Sequence, residues 1–210
     1  RAYDNAPRNP GSAATLFKRI MGTSTPVKLP TANIAMTPEE CSAEILRVLF
    51  GYLPEEMRNS DDVGTVITVP AAFNAMQRQA TMTAAELADI GKVALMQEPV
   101  AAVMSVMRQR RADGMFLIYD LGGGTLDIAL AESINGRVNL LSHGGIEMCG
   151  GRDFDRAMVD SIVKPWLIDR FDLPKNFTVD PQYNTLLRMA AWAAEKAKIT
   201  LSSRDEAVIT

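Results

Sequence analysis

Apolar and polar residues recur along this chain with two periods, near 3.6 and 2, and the two alternate in order. Residues 1–36 show neither. They are rich in turn formers, with Pro7, Pro10, Gly11, Pro26 and Pro30, and only residues 15–21 suggest a short helix. Thr37-Pro38-Glu39-Glu40 is a helix start: threonine can cap, proline suits the first helical position, and Glu40 lies three residues after the cap. Ile45, Leu46, Leu49 and Phe50 then fall on one helical face. Residues 63–69 are β-rich and stop at Pro70, which predicts a strand. A helix over 74–90 with Gly91 as its stop follows, then a strand over 92–96, a helix over 99–110 and an apolar strand over 115–119. Leu126, Ile128 and Leu130 alternate with Asp127 and Ala129, so 125–131 reads as a strand, and 137–142 as another. Two long helices, about 152–171 and 182–203, close the chain.

Strands alternating with helices, then a run of strands, predict an α/β fold with mixed sheets. A composition change at Ala112-Asp113-Gly114 predicts a boundary between two lobes, 1–112 and 113–210.

Composition narrows the function. The chain is 47% hydrophobic and 22% charged, an ordinary globular balance for one large domain or two small lobes. A net charge of -3 leaves no overall basic footprint for nucleic acid. Arg108, Arg110 and Arg111 form one basic cluster, which reads as a solvated helix end. Cys41 and Cys149 stand far apart and His143 is the single histidine, so neither a zinc site nor a disulfide framework is expected. Met104 and Met107 read as core filling. No apolar run approaches the roughly 18 residues that span a bilayer. Arg1-Ala2-Tyr3-Asp4 is not a signal peptide and lacks an initiator methionine. The expectation is a cytoplasmic chain, with reduced thiols, cut from something longer.

The densest chemistry lies in Tyr119-Asp120-Leu121-Gly122-Gly123-Gly124-Thr125-Leu126-Asp127. An apolar strand ends in a carboxylate, three glycines follow, and a threonine starts the next strand. Three glycines let backbone N–H groups approach an anion. Asp120 suits Mg²⁺, directly or through water, and the Thr125 hydroxyl suits a phosphate or an attacking water. A plain hairpin turn is the alternative, although a tight turn needs only one or two glycines. The loop joins strand to strand, so it is neither a P-loop nor a dinucleotide fingerprint.

This hairpin resembles the second phosphate-binding hairpin of the seventy-kilodalton heat-shock (Hsp70) chaperone ATPases, relatives of actin and the sugar kinases. Five further segments resemble that family in its own order: Leu16-Phe17-Lys18-Arg19-Ile20-Met21-Gly22; Val69-Pro70-Ala71-Ala72-Phe73-Asn74 with Gln77-Arg78-Gln79-Ala80-Thr81; Glu98-Pro99 with Ala101-Ala102; Gly150-Gly151-Arg152-Asp153-Phe154-Asp155; and Ala194-Glu195-Lys196-Ala197-Lys198 through Leu201-Ser202-Ser203.

The resemblance implies an actin-like, ribonuclease-H-like ATPase fold of two lobes with mixed sheets, here incomplete. Lobe I would hold an outer subdomain (about 1–60) and an inner one (about 61–112); lobe II an inner one (about 113–148) and an outer one (about 149–210). It implies ATP or ADP with Mg²⁺ as cofactors. Lys18 would reach the γ-phosphate and the attacking water. Glu98 and Asp120 would flank magnesium and order its waters, and Thr125 would orient the γ-phosphate. Gly122, Gly123 and Gly124 would donate backbone N–H groups, with Gly150 and Gly151 also at the nucleotide. Glu195, Lys198 and Ser202, spaced to share a helix face, would touch ribose and adenine. Pro70 and Arg78 would relay nucleotide state between lobes. Without the resemblance, Lys18 is an ordinary surface lysine, Glu98 an acidic first-turn residue, Arg78 a solvated helix charge, and Glu195–Lys198 an exposed pair. In the parent, a peptide-binding domain, unfolded clients and co-chaperones are the implied partners, with no nucleic acid and no membrane.

Several positions depart from the family pattern: Met82, Val100, Ile146, Cys149 and Arg152, and a short segment between Gly22 and Thr37. No D-L-G-T-T hairpin occurs, nor a second adenosine-binding glycine motif. These absences predict weak or undetectable ATP turnover by the 210 residues alone, and an exposed sheet edge prone to self-association. Two other readings remain: a divergent nucleotide- or partner-binding module without useful turnover, and a sugar kinase or filament protein on the same fold. The Q-R-Q-A-T, G-G-x-D-F-D and A-E-K-A-K segments argue against the last.

Overall fold

The structure is a computed structural model that describes residues 8–110 and 113–209. Arg1–Asp4, Pro7, Arg111 and Ala112 lie outside the described residues. The described residues form two compact units, one of residues 14–110, 113–120 and 127–146, the other of residues 8–13, 121–126 and 147–209.

The first unit begins with a 3₁₀ turn, Phe17–Ile20, where a short helix was expected. Strands β1 (Val27–Leu29) and β2 (Ile34–Met36) then pair antiparallel, with Val27 opposite Met36. No strand was expected here: each has three residues, too few to show a period, and Pro30 stands between them.

Helix α1 (Pro38–Gly51) starts as the sequence indicates. The Glu40 N–H donates to Thr37 Oγ1 at 3.1 Å and the Thr37 N–H donates to Glu40 Oε2 at 2.7 Å, a complete capping box. Its buried face differs from the expected one. Ala43 is buried, and Leu46 and Phe50 pack around it with Ala88 and Ile90, whereas Ile45 and Leu49 stay 54% and 55% exposed. Small residues allow close packing against the next long helix, so the contact centres on Ala43, not on the larger side chains. A short helix α2 (Glu55–Arg58) follows.

Strands β3 (Thr65–Val69) and β4 (Val93–Gln97) pair in parallel, Thr65 opposite Val93 and Val69 opposite Gln97. Helix α3 (Ala75–Leu87) makes the crossover that parallel strands require. It does not run to 90 with Gly91 as its stop. Asp89 takes the left-handed conformation at φ 57° and the Ile90 N–H bonds Ala85 O at 3.3 Å, which ends the helix at Leu87, three residues earlier. Aspartate tolerates this conformation better than most residues. Helix α4 (Glu98–Arg110) follows β4 directly.

Strands β5 (Gly114–Leu121), β6 (Thr125–Ile134) and β7 (Arg137–Glu147) form a three-stranded sheet in sequence order. All run longer than expected. Asn135 and Gly136, both at positive φ (50° and 76°), join β6 to β7. That is a type I′ connection, and so short a link demands an antiparallel pair. Ala129, Ala131 and Ser133 are buried on one face of β6, while Met115, Leu117 and Tyr119 of β5 stay 56%, 74% and 63% exposed.

In the second unit, residues 151–171 are helical throughout, as α5 (Gly151–Met158), a π turn (Val159–Val163) and α6 (Lys164–Phe171). The π turn precedes Pro165 and carries the Lys164 N–H to Val159 O. A proline ring clashes with the carbonyl four residues back, and a widened turn relieves that clash. Helix α7 (Asn184–Leu201) completes the unit. Val159, Val163, Leu167, Phe177, Ala190 and Ala194 form its core.

Candidate nucleotide site

In the first unit a cleft of about 190 Å³ opens beside the end of β3. Pro70 and Ala71 line one side, Glu98 and Pro99 of α4 another, and Asp120 and Asp127 belong to its wall on β5 and β6. Glu98 sits in the first turn of α4, where a helix dipole favours a carboxylate. Lys18 Nζ lies 2.8 Å from Glu98 Oε1. The lysine side chain is 62% exposed, so solvent screens this pair and the ammonium can swing to another anion at little cost.

The hairpin that carries Asp120 closes with the Gly122 N–H donating to Thr125 O at 2.9 Å. Counting back along both strands from that pair sets residue 120 opposite residue 127. Like charges directly opposite in an antiparallel pair repel, and a cation between or near them relieves it. Among the described residues no group of three or more His, Cys, Asp or Glu is close enough to hold a metal ion by itself. The cleft does offer carboxylate oxygens, from Glu98, Asp120 and Asp127, which are the ligand type that hard divalent cations take.

Pro70 belongs to this cleft, and Arg78 reaches the same loop from α3. Its guanidinium donates to Phe73 O, while the Phe73 N–H donates to Pro70 O at 3.1 Å. Of the positions that depart from the family pattern, Met82 on α3 and Val100 on α4 are half-buried in this unit.

The second unit holds the glycines. An added Cβ at Gly150 would lie 2.5 Å from Gly124 N, 2.6 Å from Gly123 C and 2.8 Å from Gly122 O. The backbones touch only because position 150 has no side chain. The N-terminus of α5 is satisfied across this contact: the Gly151 and Arg152 N–H groups donate to Gly122 O and Gly123 O, both at 3.0 Å. The Gly150 N–H in turn donates to Asp153 Oδ2 at 2.9 Å. Arg152 thus contributes through its backbone, which any residue supplies.

Lys198 reaches into the same place from α7. Its ammonium donates to Gly151 O at 2.7 Å and sits 2.6 Å from Asp155 Oδ1. Asp155 is 7% exposed and Lys198 half-buried. The ammonium approaches Oδ1 off the axis of an aligned hydrogen bond, so proximity of charge carries the contact. Glu195 is half-buried one turn before Lys198, and Ser202 is exposed just past the helix end.

The structure therefore gathers Lys18, Glu98, Asp120 and Pro70 in one unit, and Thr125, Gly122–Gly124, Gly150, Gly151 and Lys198 in the other. Sequence reasoning gave no role to two residues. Asp127 was visible as the mirror image of Asp120 about the glycines. Asp155 was visible only as one helical turn beyond Gly151; its lysine partner is 43 positions away and leaves no local signal. Elsewhere, burial with the nearby Glu40 carboxylate pushes the Cys41 thiol above its ordinary pKa.

Comparison with known proteins agrees with these motifs. The family model described as Hsp70 protein matches residues 11–210. A chaperone protein dnaK of Phaeodactylum tricornutum is 37% identical over 187 residues, 87% of this chain and 29% of its own length. A chaperone protein DnaK of Deinococcus proteolyticus is 35% identical over 207 residues, 99% of this chain and 31% of its own. A chaperone protein HscA homolog of Cupriavidus taiwanensis is 35% identical over 227 aligned positions, 100% of this chain and 35% of its own. The chain thus spans about a third of the curated relatives it matches, and within that span it carries the actin-like ATPase fold of the Hsp70 family, to which it belongs.

Proposed function

We propose that this chain is part of the nucleotide-binding region of an Hsp70-type chaperone that hydrolyses ATP and couples nucleotide state to the binding of unfolded peptides. The observation that carries the reading is the cleft of the first unit, where Glu98, Asp120 and Asp127 come together and Lys18 is held by Glu98. Breaking the β–γ bond needs charge neutralisation and a positioned water more than a strong base. In this reading Lys18 meets the γ-phosphate, Glu98 and Asp120 order the waters of magnesium, and Thr125 orients the phosphate. Gly122–Gly124, Gly150 and Gly151 shape the phosphate loop, while Glu195, Lys198 and Ser202 face the nucleoside. Magnesium, when bound, supplies the charge that spreads the developing negative charge of the phosphoryl group. Pro70 and Arg78 serve as the relay, supported by the Arg78–Phe73 bond behind Pro70. In this reading the parent works in the cytoplasm with clients and co-chaperones, and its lobes divide near residue 112, a boundary that falls within the first compact unit.

Calorimetric titration with ADP and ATP, with and without Mg²⁺, beside an Asp120→Asn variant, tests the reading. Magnesium-dependent binding that weakens in the variant is expected. Absence of binding both in this chain and in a longer chain carrying a D-L-G-T-T hairpin would overturn it. Turnover by the 210 residues alone is expected to be weak, and steady-state phosphate release measures it.

A further inference from the structure

A buried carboxylate is costly unless something compensates it. Asp155 is such a group at 7% exposure, and the cation beside it is Lys198, whose side chain remains 30% exposed. The same ammonium grips Gly151 O. An added Cβ at Gly151 would sit 3.2 Å from Nζ, so the glycine leaves the room the ammonium uses. Gly151 in turn bonds Gly122 O, and Gly150 presses on Gly122–Gly124. A line of direct contacts thus runs from Asp155 through Lys198 and Gly151 to the glycine loop.

We propose that Asp155 is a positioning residue: through Lys198 it fixes the Gly150–Gly151 turn, and with it the Gly122–Gly124 loop, in the arrangement that receives phosphate. The inference deepens the proposed function and rests on it for the ligand. It changes the part played by Lys198, whose ammonium is committed to Gly151 O and Asp155 and acts on the phosphate end of a nucleotide. The pair is suited to hold a geometry, since one ammonium joins a buried carboxylate to the Gly151 carbonyl.

The test compares the unmodified chain with Asp155→Asn and Lys198→Met by titration with Mg-ADP and with adenosine, and by amide hydrogen exchange without ligand. Asp155→Asn is expected to weaken Mg-ADP at least fivefold while adenosine affinity stays within twofold. Both variants are expected to speed exchange at the Gly151 and Arg152 amides about tenfold or more, with protection in the 159–167 core unchanged. Lys198→Arg, which keeps the cation, is expected to restore most of the protection. Equal losses for Mg-ADP and adenosine, or unchanged exchange at Gly151 and Arg152, would overturn the proposal. If neither the unmodified chain nor a longer chain carrying a D-L-G-T-T hairpin binds nucleotide, the functional reading fails, and the exchange experiment still decides whether Asp155 holds the turn.

Discussion

Gly150→Ala is the sharpest single perturbation of the second unit. Gly150 has φ -161° and ψ -174°, extended backbone open to any residue, so alanine meets no dihedral penalty there. The whole cost comes from the Cβ, set 2.5 Å from Gly124 N and 2.6 Å from Gly123 C. Both are backbone atoms and cannot rotate away, so the loop must retreat by most of an ångström to restore normal contact. A retreat of that size breaks the two 3.0 Å bonds from Gly151 and Arg152 to Gly122 and Gly123. Each lost bond costs about 1 kcal/mol, and residual overpacking adds about 1–3 kcal/mol. The expected destabilisation of this unit is therefore about 3–5 kcal/mol. Gly123→Ala is the control: an added Cβ there meets nothing within 4 Å. Denaturant unfolding followed by Trp166 and Trp192 fluorescence, both in this unit, gives the magnitude, and exchange at the Gly151 amide gives the location. If Gly150→Ala were no less stable than Gly123→Ala, the close approach would not be the reason for glycine at 150.

Other consequences follow from the first unit. Thr37→Ala removes the acceptor for the Glu40 N–H and should cost about 1 kcal/mol in chemical denaturation. Lys18→Met should change stability by less than about 1 kcal/mol, since its ion pair is largely solvated. Under the proposed function the same change, made in the whole parent protein, should lower ATP turnover on the order of 10²-fold in a phosphate-release assay. The Cys41 thiol has a folded pKa above its unfolded one, so the folded state keeps its proton longer. Its contribution to stability is complete below the ordinary thiol range and is lost as pH rises through that range, and a Cys41→Ala variant should lose that part of the alkaline dependence in urea titrations between pH 7 and about pH 10.

What could be read from the sequence was mostly local. Thr37-Pro38-Glu39-Glu40 specifies a helix start within four residues, and the structure makes both of its reciprocal bonds. The alternation from Leu126 to Leu130 likewise located β6. Failures arose where a distant partner decided. The buried face of α1 is set by how closely Ala43 lets another helix approach, which moves it off Ile45 and Leu49. The end of α3 depended on an aspartate accepting a left-handed conformation, and glycine at 91 was the more conspicuous candidate. At the candidate site the glycines announced themselves, but their mutual contact joins segments 26 positions apart, and only the fold brings Gly150 against Gly124.

That contact also constrains the order in which the chain acquires structure. The β6–β7 hairpin needs only its own two-residue turn and can form early, as local pairings do. The Gly122–Gly124 loop at its base cannot settle then, because the backbone it rests on lies beyond the hairpin and the lysine that steadies that backbone is 47 residues further on. During synthesis from the N-terminus, the loop therefore lacks its fixed arrangement on the nascent chain until α7 has been made.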